Sequence, residues 1–370
     1  MNFEPSAKRA DPLTRIIDAA LVRGGGWLPF DRFMAMALYA PGLGYYANSS
    51  AKFGQMPSSG SDFVTAPELT PMFGCTLAAQ VAEALDRTGT DTVWEFGAGS
   101  GALAGQLLKA LAALGTKVAR YRIVDLSGTL RARQQLALAA YGDQVEWLSE
   151  LPDAMQGVVV GNEVLDAMPV QLLARVDGAW LERGVVRAPD GDGWSWQDRP
   201  TDLRPPVEVP GEHHYLTEVH PQAEAFMATL ADRLTQGAAF FIDYGFPEAE
   251  YYHPQRHMGT VMCHRAHMAD GDPLSDVGLK DITAHVNFTG IALAGQDAGL
   301  EVLGYCSQAR FLLNCGLLTH MEQGTAAQRA MAAHLVHEHE MGELFKVIGF
   351  AVGSPWDAMG FAKGDRTHTL

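Results

Sequence analysis

The stretch "VWEFGAGSGALAG", Val93–Gly105, decides how the chain is read. An apolar run reaches an acid, Glu95, and glycines follow at 97, 99 and 101. Glycines so placed let the backbone approach a ligand and let the next helix pack tightly. In an open parallel sheet the turn lies beyond the carboxyl ends of the strands, where ligands sit. Gly97, Gly99 and Ala102 also fit G-x-G-x-x-A, the dinucleotide pattern. Three features argue against a dinucleotide. Glu95, at the strand end, suits an ammonium or hydroxyls better than a pyrophosphate. No basic residue lies between Val93 and Gly105, which leaves a phosphate only the helix N-terminus. The loop also follows a long N-terminal region, and no G-K-[ST] follows it.

Outward from this loop the pattern alternates. "RYRIVDLS", "QVEWLSEL", "GVVVGNEVLDAMPV", "AAFFIDYGF" and "LEVLGYC" read as strands separated by helices. Near-continuous apolar strands in such alternation predict an α/β fold, a Rossmann-like parallel sheet with helices on both faces. Residues 1–67 read as a helical arm and a long loop, with Asp31 as an N-cap. Residues 68–325 form the core, interrupted at about 172–215 by antiparallel hairpins and at about 247–280 by a polar excursion. Residues 326–370 read as helical. The loop "GLGYY…GSDFVTAPE" is too aromatic for a solvated linker and is expected to fold over the site as a lid, with Tyr45, Tyr46, Asp62 and Thr65 lining a channel.

The 370 residues are 47% hydrophobic and carry a net charge of −16. No Lys/Arg cluster opposes that field, so nucleic acid is not expected as a partner. No apolar run is long enough to span a membrane, and membrane insertion is not expected. Cys75, Cys263, Cys306 and Cys315 are widely spaced, as in a reduced chain. "MNFEPSAKRADPL" has neither a signal-peptide core nor an Arg-rich presequence, and the expected compartment is the cytoplasm. The groups Cys263, His264, His267 and His334, His337, His339 lack a complete four-ligand spacing, so no metal is expected. Oligomeric state stays open, a dimer included.

The second strand ends in Asp125, a carboxylate able to hold two ribose hydroxyls. NAD and S-adenosylmethionine share that requirement, and a helix cap is the plain alternative. Trp147 and Leu148, near the third strand's end, either flank an adenine or belong to the core.

E-x-G-x-G-x-G after a strand, an acid ending the next, and the N-E-x-x-D-A-x-P turn after the fourth resemble a class I S-adenosylmethionine-dependent methyltransferase. More narrowly, "FMAMALYAPGLGYY", "GSDFVTAPEL", "WEFGAGSG", "GNEVLDAMPVQ", "FIDYGF" and "GLKDITAHVNF" resemble the MidA-like family. Its mitochondrial members are complex I assembly factors that methylate protein arginine. The resemblance implies S-adenosyl-L-methionine as cofactor and a protein substrate carrying a target arginine, such as a subunit of respiratory NADH dehydrogenase. On the donor it implies Glu95, Gly97, Ala98, Gly99, Gly101, Asp125 and Leu126, with Asn162, Thr65 and Pro67 beside them. Two departures stand out. Asp125-Leu126-Ser127 replaces the family's Glu-Pro-Ser, and "VMCHRAH" follows Gly259-Thr260. Competing readings are an assembly chaperone with a vestigial or regulatory donor site and an NAD-dependent oxidoreductase.

An arginine acceptor is always charged. Paired carboxylates clamp it bidentately and aim one nitrogen at the methyl group. Glu163 and Asp166 flank the fourth-strand turn and are the expected pair. Asp243 and Tyr244 end the fifth strand. Asp281 and His285, one helical turn apart, would share a face. Asp281 is alternatively an N-cap, and His285 alternatively a core histidine.

Overall fold

The computed structural model describes residues 11–48, 64–125 and 128–370. Among the described residues seven strands form the continuous path of the main sheet: β1 Thr92–Phe96, β2 Arg120–Val124, β3 Val145–Leu148, β4 Met155–Asn162, β5 Leu234–Phe246, β6 Leu300–Ser307 and β7 Phe345–Val352; an eighth, Val286–Asn287, pairs in parallel with the end of β5. Their order is β6-β7-β5-β4-β1-β2-β3. β1 to β5 pair in parallel, and β7 runs antiparallel to both β5 and β6. Alternate side chains leave opposite faces. Val158, Val160, Phe240 and Ile242 pack on one side with Leu77 and Val81 of helix α4 (Met72–Thr88) and Leu107 and Leu111 of α5 (Ala102–Ala113). Val159 and Phe241 pack on the other with Met227 and Leu230 of α7 (Pro221–Arg233) and Ile291 of α8 (Phe288–Asp297). Burial on both faces is why these strands read as unbroken apolar runs.

β4 and β5 meet at Gly157 and Gly237. A Cβ on Gly237 would stand 1.8 Å from the Gly157 carbonyl oxygen, and Gly237 has φ +142°. The strands approach this closely because both residues lack a side chain.

Three local expectations are corrected. The expected C-terminal helix ends at His334, and Phe345–Val352 is strand β7. "FKVIGFAV" is a short apolar run that fits a buried helix or a buried strand equally. Pairing with β5 on one edge and β6 on the other settles it. The N-cap position of helix α2 (Phe30–Tyr39) is Pro29, and Asp31 instead accepts from the N–H of Arg32 at 2.7 Å. The helix expected from Asp281 begins at Phe288, capped by Asn287, whose side chain accepts from the Gly290 N–H. Asp281 opens the short strand Asp281–Thr283.

Two smaller sheets and the N-terminal helices form a second body. Strands Leu28–Pro29, Gln171–Val176, Ala179–Arg187, Trp194–Pro200 and Tyr215–Val219 make an antiparallel sheet, and Met262–Arg265, Met268–Asp270 and Asp281–Thr283 a smaller one. Helix α1 (Pro12–Arg23) and α2 share one core with both, joining Ile17, Phe30 and Phe33 to Leu172, Val185, Cys263 and Ile282.

Candidate active site

A cavity of about 1360 Å³ lies between this second body and the carboxyl ends of the main strands. Its donor side is set by the loop after β1. Gly97, Gly99 and Gly101 all have positive φ, at +63°, +52° and +86°. Three left-handed residues within five positions need glycine. Glu95, Gly97, Ala98, Gly99 and Asp125 line the cavity, as do Thr65, Pro67 and Asn162. Gly101 stands outside it, at the N-cap position of α5. Tyr121 donates to Glu95 at 2.6 Å and fixes its orientation. Burial raises Glu95 to about 8 against that hydrogen bond, and the charge of Asp125 adds to the rise. An arriving ammonium would favour the ionised form.

Sequence reading missed Gln134, in helix α6 (Gly128–Ala137). It is fully buried. Its Nε2 donates to the Gly99 carbonyl at 3.0 Å and to Asp125 at 2.7 Å. Its Oε1 accepts from the Trp147 indole at 3.0 Å. One amide thus braces the glycine loop against Asp125. The available signal was a glutamine on an otherwise apolar inner face of a helix. Gln134→Leu is expected to raise the Kd for S-adenosylmethionine by about tenfold, the worth of one or two buried hydrogen bonds. Calorimetry reads this, and an unchanged Kd removes Gln134 from the donor site. Trp147 therefore braces through Gln134. Neither it nor Leu148 lines the cavity, where Ser149, Glu150 and Leu151 do. The strand ends at Leu148, and the wall begins with the next residue, Ser149. Leu126 and Asp62 lie outside the described residues. Tyr45 is buried in the core of the second body, and Tyr46 lines the cavity.

A second wall of the cavity, where the acceptor was expected, is built on the turn after β4. Glu163 has φ +53°, unusual for a residue with a side chain. Asp243 holds this turn. Its Oδ2 accepts from the N–H groups of Val164, Leu165 and Asp166 at 3.1, 2.9 and 3.2 Å, and its Oδ1 from that of Tyr244 at 2.9 Å. Asp243 is fully buried and does not line the cavity. It is a brace beneath the turn, not a group that touches the acceptor as the sequence reading expected. Burial and the charges of Asp166 and Glu163 push its proton affinity up, while backbone donors favour the ionised form.

Tyr244 does face the cavity and donates to Asp166 Oδ2 at 2.5 Å. Asp166 Oδ1 is buried and accepts no hydrogen bond among the described residues. Asn162 donates to Glu163 Oε1 at 3.0 Å. Burial and the charge of Asp166 raise Glu163 to about 8. Burial raises Asp166 to about 6, opposed by the Tyr244 hydrogen bond. No Lys or Arg among the described residues contributes to either shift. Asp281, held by the Tyr46 hydroxyl at 2.8 Å, faces the same space. His285 also lines it, edge-on to Tyr244 and Phe246 at 5.3 and 5.2 Å. Burial lowers His285 to about 4, so it is neutral at pH 7. Asp281 and His285 reach the cavity from a strand and the segment after it, not from one helical face.

Known proteins match this architecture. A family model described as "Putative S-adenosyl-L-methionine-dependent methyltransferase" matches residues 76–306. A crystal structure of a Burkholderia thailandensis protein bound to S-adenosyl-homocysteine superposes with a TM-score of 0.93 at 50% identity, covering 97% of this chain and 96% of that one. Among curated proteins, the Caenorhabditis elegans homolog of the mitochondrial protein arginine methyltransferase NDUFAF7 is 26% identical, over 80% of this chain and 74% of its own length. The human mitochondrial NDUFAF7 is 26% identical, over 92% and 84%. The glycine loop, Glu95 and Asp125 together offer what S-adenosylmethionine needs: close backbone approach, an acid for its ammonium and an acid for its ribose. The chain belongs to the MidA-like family of class I S-adenosylmethionine-dependent methyltransferases.

Proposed function

We propose that the chain methylates an arginine side chain of a protein. The observation that carries this reading is the acceptor wall. Glu163 and Asp166 line the cavity and neither forms an ion pair among the described residues, and one Asp166 oxygen accepts no hydrogen bond from them. Buried acids in this state match a planar cation with several N–H donors. The names of the NDUFAF7 relatives support the same acceptor.

When bound, S-adenosylmethionine supplies an electrophilic methyl group on a sulfonium. The chain's residues do the rest. Glu163 and Asp166 grip the guanidinium and fix which nitrogen points at the donor side, an effect of orientation. Tyr244 holds Asp166 in place. A carboxylate oxygen of Glu163 takes the proton that the attacking nitrogen gives up. Tyr39 and Tyr46, stacked with ring centroids 5.6 Å apart, wall the space off from water.

Incubation with methyl-labelled donor and protein extract from cells lacking this chain, followed by hydrolysis and amino-acid analysis, tests the reading. Label on methyl-arginine is expected. Label confined to another amino acid or to small molecules overturns it.

A further inference from the structure

Gly259, Thr260 and Val261 line the cavity, and a buried acid behind them holds them there. Glu218, in the strand Tyr215–Val219, is fully buried and does not itself reach the cavity. Its Oε1 accepts from the N–H groups of Thr260 and Val261 at 2.7 and 3.2 Å. Its Oε2 accepts from the hydroxyls of Tyr251 and Thr260 at 2.8 and 3.1 Å. This approach requires Gly259, which has φ +72° and whose Cβ would stand 2.7 Å from Glu218 Oε1. Four donors on one buried carboxylate fix the loop more firmly than water would.

Thr260 carries the connection onward. Its hydroxyl donates to Glu218 and accepts from the His285 N–H at 3.0 Å. His220, at the N-cap position of α7, donates through Nε2 to the His285 carbonyl at 2.9 Å. His285 is thus held at both of its backbone groups. Its ring stands edge-on to Tyr244 at 5.3 Å, and Tyr244 donates to Asp166. Every link from Glu218 to Asp166 is a hydrogen bond or a ring contact.

We propose that Glu218 is a positioning residue for methyl transfer: it fixes the Gly259–Val261 wall and, through Thr260, the stance of His285 against Tyr244, so that Asp166 meets the acceptor in one orientation. The inference rests on Asp166 belonging to the acceptor wall. The donor loop has braces of its own in the short helix α3 (Ala66–Leu69): the Ser100 hydroxyl donates to Glu68 Oε1, and Gln106 donates to the Pro67 carbonyl at 2.8 Å. The entry to the Gly259 loop is also anchored without Glu218, since the Leu216 N–H donates to the His257 carbonyl at 2.9 Å. Removing Glu218 should therefore loosen the acceptor wall and leave the donor side standing.

Methyl-labelled donor and protein extract from cells lacking this chain give the rate of transfer, and calorimetry with S-adenosyl-homocysteine counts the competent donor sites. Glu218→Ala is expected to lower the rate per donor site about a hundredfold, the effect of a small misplacement at the reacting centre. Stoichiometry and Kd for S-adenosyl-homocysteine should stay unchanged. Glu218→Gln keeps an oxygen for the Thr260 and Val261 N–H groups and should recover most of the rate. Thr260→Val breaks only the hydroxyl relay and should cost about tenfold. In protein with histidines isotope-labelled at Cε1, the His285 signal, identified by its loss in His285→Asn, should shift in Glu218→Ala and in Thr260→Val. A wild-type rate per donor site in Glu218→Ala overturns the proposal. So does a fall in donor stoichiometry that accounts for the whole loss of rate, which makes Glu218 a support of the fold alone. An unmoved His285 signal in both variants overturns it too. Should Glu218→Ala not fold, Thr260→Val carries the test, and a wild-type rate there overturns the proposal. Label on a residue other than arginine overturns the arginine reading, while the comparison of variants still decides Glu218.

Discussion

Glu163→Gln is expected to lower kcat/KM for the acceptor protein about a thousandfold, or about 4 kcal/mol of transition-state stabilisation, while the Kd for S-adenosylmethionine moves by less than about twofold. Glutamine keeps the volume and one acceptor oxygen but loses the charge that grips a guanidinium and the site that takes its proton. Equal losses in both quantities would move Glu163 to the donor side. The pH dependence carries a sign. Burial raises Glu163 to about 8 and Asp166 to about 6. Their ionised forms do the gripping, so kcat/KM, which reports the free enzyme, should climb with pH between about 6 and 8 and then level off. The variant should lose the upper step. Stability has the opposite sense. A carboxyl group whose folded pKa is raised stabilises the fold below its unfolded value of 4.5, and that contribution is lost as pH rises through about 8. Glu163→Gln should therefore be at least as resistant to denaturant as wild type at pH 8, which separates lost chemistry from lost folding.

Gly237→Ala should have the largest effect on folding, a loss above about 4 kcal/mol. The new Cβ would meet a backbone carbonyl of the neighbouring strand, at a φ that L side chains rarely adopt. Gly157, opposite, is equally cramped: its own Cβ would stand 2.1 Å from the Thr92 carbonyl oxygen. No rotamer change relieves a backbone contact, so the central strands must separate. The denaturant midpoint measures this, and a midpoint equal to wild type would contradict the β4–β5 register.

Much of this architecture was legible because its causes are local. Continuous apolar strands, glycines 97, 99 and 101, and the acids at 95, 125, 163 and 166 announce a parallel sheet and its ligand edge. What was not legible depends on partners distant in sequence. Phe345–Val352 is a strand because β5 and β6 lie beside it. Asp243 looks like any strand-end carboxylate until the N–H groups of residues 164–166 are seen converging on it. Gln134 becomes informative only where Gly99, Asp125 and Trp147 meet. The i,i+4 spacing of Asp281 and His285 suggested one helical face, and the strand at Asp281 removes that meaning.

The position of β7 has a consequence for biosynthesis. It is last in chain order among the main strands, yet it fills the gap between β5 and β6. While the ribosome is still adding residues, β5 therefore carries an open edge and β6 has no neighbour. Such an edge invites pairing with other chains. The donor loop and its acids are all translated well before that edge closes, so a nascent chain can hold every donor-side residue while its sheet is still incomplete.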